Sequence, residues 1–177
     1  MTVHNRRLIA LLTAILFAAV LRLVPHPPNF TPIGAMALFS GAYFGRRLLA
    51  FAAPIGAMVV SDAVLGFYSG FWVTYLAIGL VVLIGWLALS RVSPLRVGVA
   101  AVASSVTFFL VSNFGTWALS SMYPHTSAGL SACYVAAIPF FQNTLAGDLF
   151  YATMLFGGFR VIELLVPRIS AGQAQAA

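Results

Sequence analysis

Lysine is absent from this chain, and acid is nearly so: Asp62, Asp148 and Glu163 are the only acidic residues in 177. Charged residues make up 7% of the sequence, against about a quarter in an ordinary soluble domain. So few charges cannot cover a water-exposed globule of this length, which excludes a soluble fold. A single cysteine, Cys133, excludes an intrachain disulfide and a cysteine-rich metal site. No Gly-rich loop ends in Gly-Lys-Ser/Thr, and there is no Gly-x-Ser-x-Gly or His-Glu-x-x-His. Nucleotide hydrolysis, serine-hydrolase chemistry and zinc-protease chemistry therefore have no motif to rest on. No carboxylate-rich metal cluster is present, and no two histidines fall on facing spans as haem ligands would. No catalytic residue, metal ligand or cofactor is assigned, and the chain is not read as an enzyme.

What is present is apolar. Hydrophobic residues make up 62% of the chain and the mean hydropathy is +1.01, which points to an all-α integral membrane protein forming one domain over residues 1–177. A spanning helix needs roughly 20 apolar residues. Six stretches approach this: 8–24, 30–44, 48–67, 71–89, 97–119 and 144–166. The start, MTVHNRRLIALLTAILFAAV, imitates a secretory signal, but Arg22, Leu23 and Val24 stand where a small-residue cleavage site belongs, so a retained first helix is expected. The stretch 130–141 is apolar, too short to span and interrupted by Pro139. It reads as an interfacial or re-entrant piece, or as an extension of the sixth helix.

All nine basic residues are arginines, and they sit between apolar runs. The net charge of +6 is therefore a mark of topology and not of nucleic-acid binding. Arg6, Arg7, Arg46, Arg47, Arg91, Arg96, Arg160 and Arg168 fall on one side of a six-span arrangement, and Arg22 on the other. The rule that arginines stay inside places both termini in the cytoplasm.

Depth then sorts the polar residues. Asp62, Asn113, Asn143, Asp148 and Arg22 are expected at the outer ends of their helices, with Asp148 about one turn below the start of the sixth. An ionisable group in lipid costs on the order of 2.5–3.5 kcal/mol on insertion scales, so it faces a bundle interior or a wet cavity. One reading makes this set an outward pocket. The other has Asp62 or Asp148 pair with Arg22 to staple helices. The candidate ligand-binding residues are Asn29, Asp62, Tyr68, Asn113, Trp117, Tyr123, His125, Asn143 and Asp148. The aromatics among them also fit an interfacial belt. Arg160 and Glu163, three apart on one helix, read as a local structural pair. Ala10, Ala14 and Ala18 recur on one face of the first helix, where small residues permit close packing.

With six helices, an outer polar set and that Ala-x-x-x-Ala-x-x-x-Ala face, the chain resembles the substrate-binding S components of energy-coupling-factor (ECF) transporters. The stretches PNFTPIGAMALFSGAYF, SNFGTWA and MYPHTSAGLSACYVAAIPFFQNTLAGDLFY also resemble an uncharacterised bacterial family of proposed transport proteins related to those S components. The resemblance implies capture of a vitamin-like molecule or metal ion from outside. It also implies docking of Ala10, Ala14 and Ala18 on a transmembrane coupling subunit driven by two ATPases. Two other readings stay open: a membrane enzyme acting on a lipid or isoprenoid headgroup, with Asp62, Asp148 and His125 as acid–base groups, and a structural or assembly subunit whose polar residues only join helices.

Overall fold

Apolar runs broken by Pro, Gly and Arg leave the backbone one way to satisfy its hydrogen bonds in lipid, which is to coil into helices. The computed structural model describes residues 3–44 and 48–166. It contains α1 (Val3–Leu21), α2 (Ile33–Phe44), α3 (Leu48–Leu65), α4 (Phe71–Ala88), α5 (Pro94–Leu119) and α6 (Ser127–Leu165), with no strand among the described residues. Four of these, α3 to α6, are long and apolar enough to cross a membrane, while α2 and the Arg7–Leu21 part of α1 are shorter apolar helices. Arg46, Arg47 and Arg168 lie outside the described residues.

The boundaries at 48, 71 and 119 fall where the apolar runs begin and end. Others differ from expectation: α1 runs from Val3 to Leu21, α2 starts at Ile33, α3 ends at Leu65, and α5 and α6 start early. α5 starts at Pro94, because the Ser93 hydroxyl accepts from the Arg96 amide and Pro94 suits the first turn. α6 starts at Ser127, capped by Thr126, whose Oγ1 accepts from the Gly129 amide at 3.2 Å. The stretch 130–141 is thus the first part of α6, which continues through Pro139. At 1.5 Å per residue this 39-residue helix is about 58 Å long, far beyond a hydrocarbon core of about 30 Å.

The centre of the bundle is the shortest helix. α2 is apolar on every side, and nine of its twelve residues are buried, which marks a helix enclosed by others. It touches all five other helices. Those five form a ring around it in the order α3, α4, α5, α6, α1, and α3 and α6 do not touch each other. At about 18 Å, α2 cannot span alone. The expected second span, 30–44, is helical from Ile33 on; before it, residues 22–32 hold no regular helix, and Asn29 takes a left-handed φ of 63°, which asparagine tolerates better than most residues.

Close backbone approach holds α2 in place. A Cβ on Gly41 would overlap the Val82 carbonyl of α4, and one on Gly85 would overlap the Leu38 carbonyl of α2. Small residues at a helix crossing allow this contact in lipid, where the hydrophobic effect between helices is absent. Pro54 inside α3 removes the amide that would bond the Ala50 carbonyl. The Ser40 hydroxyl of α2 donates to that carbonyl instead, at 2.8 Å. Aromatic contacts continue the α2–α6 seam, with Phe39 edge-on to Phe156 at 5.2 Å and to Phe159 at 5.5 Å.

The exposed face of α1 is Ile9, Leu12, Leu16, Phe17 and Val20. Ala18 is 1% exposed, and Ala10 and Ala14 pack against the same core. The alanine face expected to dock on a partner is instead turned into the bundle, where small side chains let α1 approach its neighbours.

Replacing Gly41 with Val should force α2 and α4 apart and cost about 1–3 kcal/mol, read as a lowered unfolding midpoint in mild detergent. Gly56→Ala, where a Cβ meets open space, should leave the midpoint unchanged or raise it slightly.

Candidate functional site

Two polar clusters lie inside the bundle, and each is assembled by helix ends. The first joins α1, α3 and α4. Arg22 follows the last turn of α1, a position that favours a cation. Its Nη2 lies 2.6 Å from Asp62 Oδ1, one turn before the end of α3, and its Nη1 donates to the Ser61 hydroxyl. The Tyr75 hydroxyl of α4 donates to Asp62 Oδ2 at 2.7 Å. Asp62 is 1% exposed and Arg22 13%. Sealing a carboxylate this deeply needs such a cation and such donors, since desolvation alone would cost several kcal/mol. Next to it the Tyr68 hydroxyl donates to Thr74 Oγ1 at 2.6 Å. Tyr68 lies in the α3–α4 loop and is 45% exposed. Partial burial pushes its phenol above the ordinary value, opposed by the bond to Thr74, so it stays neutral. A sealed ion pair bonded by Tyr75 thus sits below the half-exposed Tyr68, whose partner Thr74 precedes Tyr75 on α4.

The second cluster joins α2, α5 and α6. The first hydrogen bond of the α2 ladder runs from the Met36 amide to the Pro32 carbonyl at 2.8 Å. The amides of Ile33, Gly34 and Ala35 therefore precede the ladder, at a helix start buried by protein. Asp148 of α6, 2% exposed, is placed against them. Its carboxylate lies against the Gly34 backbone at the start of α2 and, at Oδ2, accepts from the Ser105 hydroxyl of α5 at 2.6 Å. The side chain sits where a Cβ on Gly34 would be, so glycine at 34 makes room for it. Asp148 is a cap supplied from another helix, and its negative charge suits the positive end of α2.

The depth of Asp148 differs from expectation. Because α6 begins at Ser127 and not at Thr144, Asp148 lies about 32 Å along the helix axis. It faces Ser105, in the middle of α5. It is not one turn below the helix start, and it belongs to a different cluster from Asp62.

The other expected residues take positions around these two. Asn143 donates from Nδ2 to the Pro28 carbonyl at 2.9 Å, fastening the 22–32 coil to α6. Phe30 of the same coil packs on Phe150 and Tyr151 of α6, at 5.8 and 5.5 Å. Asn113 donates to the Phe109 carbonyl of its own helix at 2.8 Å. Trp117 donates from Nε1 to the Pro124 carbonyl at 2.9 Å and meets the His125 ring edge-on at 5.6 Å, so the α5–α6 loop is pinned to α5. Tyr123 is half-buried in that loop, while Asn29 and His125 are exposed. Among the described residues no group of three His, Cys, Asp or Glu side chains is close enough to hold a metal ion.

Tyr75, Thr74, Ser61, Ser105 and Gly34 were not identified from the sequence. A tyrosine one turn into α4 and a Ser104-Ser105 pair in mid-span were the available signals. At the other end of the bundle Glu163 is buried between two arginines: Arg160 of its own helix at 3.3 Å and Arg7 of α1 at 3.8 Å. The expected local pair is present, and Arg7 makes it a link between helices. The Arg7 guanidinium also lies 5.8 Å from the ring centres of both Tyr43 and Phe159, within cation–π range. Between α4, α5 and α6 an open groove of about 470 Å³ is lined by apolar residues, including Trp72, Leu76, Val111 and Phe114, with Tyr134 at its edge.

Asp148→Ala should remove the carboxylate from the buried start of α2 and leave Ser105 with only its bond to the Ala101 carbonyl, costing about 1–3 kcal/mol in detergent unfolding. Asp148→Asn, which keeps an acceptor oxygen, should cost less. Gly34→Ala should be as harmful as Asp148→Ala, because the new methyl displaces the carboxylate.

No curated protein and no solved structure matches the chain. A model described as a family of unknown function matches residues 2–169, nearly the whole length. The chain belongs to that family, DUF6580.

Proposed function

We propose that this protein is a membrane-embedded substrate-binding subunit for uptake of a small molecule, and that Arg22, Asp62, Tyr68, Thr74 and Tyr75 form the ligand-binding end. The observation that carries this reading is the gradation of that cluster. A charged pair is held at the junction of three helix ends, and two tyrosine hydroxyls lie beside it, one of them on an exposed loop. Intramembrane ionisable groups that open toward one face commonly mark a substrate or ion path. Asp148 lacks that gradation, because it is enclosed on all sides and its acceptors are used by α2 and α5.

The orientation follows from the arginines. The Arg7–Glu163 end brings together the start of α1 and the end of α6, with Tyr43 near the end of α2 beside them. In this reading that end is cytoplasmic, the chain crosses the bacterial inner membrane as a six-helix S-component-like bundle, and the Arg22 end faces outward. α2 with its preceding coil counts as one crossing, interrupted as in transporters whose binding sites lie at broken helices. An ECF-type coupling subunit with its ATPases would meet the exposed apolar face of α1, at Leu12, Leu16 and Val20, and not the inward alanines.

A second reading, a structural or assembly subunit, is favoured by one observation: all three acids already have protein partners. The two readings separate on one measurement. Protein purified in mild detergent is analysed by mass spectrometry for a retained small molecule, and binding of that molecule is then titrated. Asp62→Asn and Tyr75→Phe, if still folded, should weaken binding about 10- to 100-fold, the value of one charge-assisted hydrogen bond. Folded variants with unchanged affinity would remove this cluster from the site, and no retained ligand in any preparation would support the structural subunit.

A further inference from the structure

We propose that the seam between α1 and α6 is a gate, with α1 hinged on α3 and latched to α6 by the Arg7–Glu163 pair. The ring around α2 is closed in four places by helices that pack on each other, or by a short loop between consecutive helices. The fifth closure, α1 on α6, is the weakest, because these helices meet over only a short stretch. Since α3 and α6 do not touch, α1 alone covers α2 on that side.

The two ends of α1 are held differently. At Arg22 the guanidinium approaches Asp62 at 2.6 Å and also donates to Ser61, both on α3. At Arg7 the approach to Glu163 is 3.8 Å. Arg7 Nη1 and Glu163 Oε1 make no hydrogen bond, and neither does Asp62 Oδ1 at the other end, so the two ends differ in distance. A pair 3.8 Å apart, held by charge and by the Tyr43 and Phe159 rings, separates more readily than one at 2.6 Å. The tight contact is with α3 and the loose one with α6, the asymmetry of a hinge and a latch. On the far side of the seam the 22–32 coil lies on α6 through the Asn143–Pro28 bond and the Phe30 ring. Swinging α1 away from α6 would expose the α2–α6 aromatic seam. The proposal is independent of where a ligand binds, because it concerns only how the ring closes.

The test labels the intact protein in lipid nanodiscs, with Cys133→Ala removing the native thiol. Spin labels placed at exposed Leu12 of α1 and Val161 of α6 report the seam by pulsed electron spin resonance. A second pair, at Leu12 and Val60 of α3, reports the hinge. Glu163→Gln should add a longer α1–α6 distance population or broaden the existing one, with the α1–α3 distances unchanged. Arg7→Lys, which keeps the charge, should retain the parent α1–α6 distribution. An α1–α6 distribution in Glu163→Gln identical to the parent would overturn the gate, as would equal broadening of both pairs, since that would mean general loosening.

Discussion

A helix that begins inside protein, away from water, must find acceptors for its first amides. That constraint governs the centre of this molecule. α2 is a short apolar rod whose start is buried, and the group set against it, Asp148, comes from a helix more than a hundred residues later. Once that carboxylate is fixed, α6 must pass the start of α2 at one depth, Ser105 must face it from α5, and residue 34 must be glycine. The closest packing contacts, between α2 and α4 at Gly41 and Gly85, then set how far α2 can move in any other direction.

The charges divide by the same logic. Three acids in a chain this apolar are too costly to leave unpaired, and each is paired in a different way. Asp148 caps a helix, Asp62 holds a guanidinium, and Glu163 sits between two arginines. The Asp62 cluster has neutral hydroxyls beside it, one of them on the half-exposed Tyr68, and this is why it carries the functional reading. The same residues serve architecture there, since Arg22 fixes one end of α1. A ligand at that cluster and the position of α1 would then be coupled through one side chain.

Irregular backbone between 22 and 32 also fits this scheme. Four prolines and a left-handed asparagine prevent a helix there, and Asn143 and Phe30 anchor the coil to α6. Non-helical backbone at this depth persists only against protein. The coil gains that support from α6, and in return it shields the start of α2.

The sequence by itself determined that the chain is helical, with runs apolar enough to cross a membrane, because 62% of its residues are apolar and only three are acids. Pro, Gly and Arg punctuation also located most helix ends, and the Arg160–Glu163 spacing was enough to identify a pair on one helix turn. The continuity of α6 was one of several readings the sequence left open, since Pro139 reads locally as a break while the helix runs through it. That single difference moved Asp148 from an outer leaflet position to the bundle middle and parted it from Asp62. The inward turn of Ala10, Ala14 and Ala18 was equally hidden, because a small-residue face packs as well on its own bundle as on another protein. Partners distant in the chain, Arg22 with Asp62, Arg7 with Glu163 and Asp148 with Gly34, were decided only by tertiary structure. Periodicity reports which face a residue occupies, and the meeting of two faces depends on how the whole ring closes around α2.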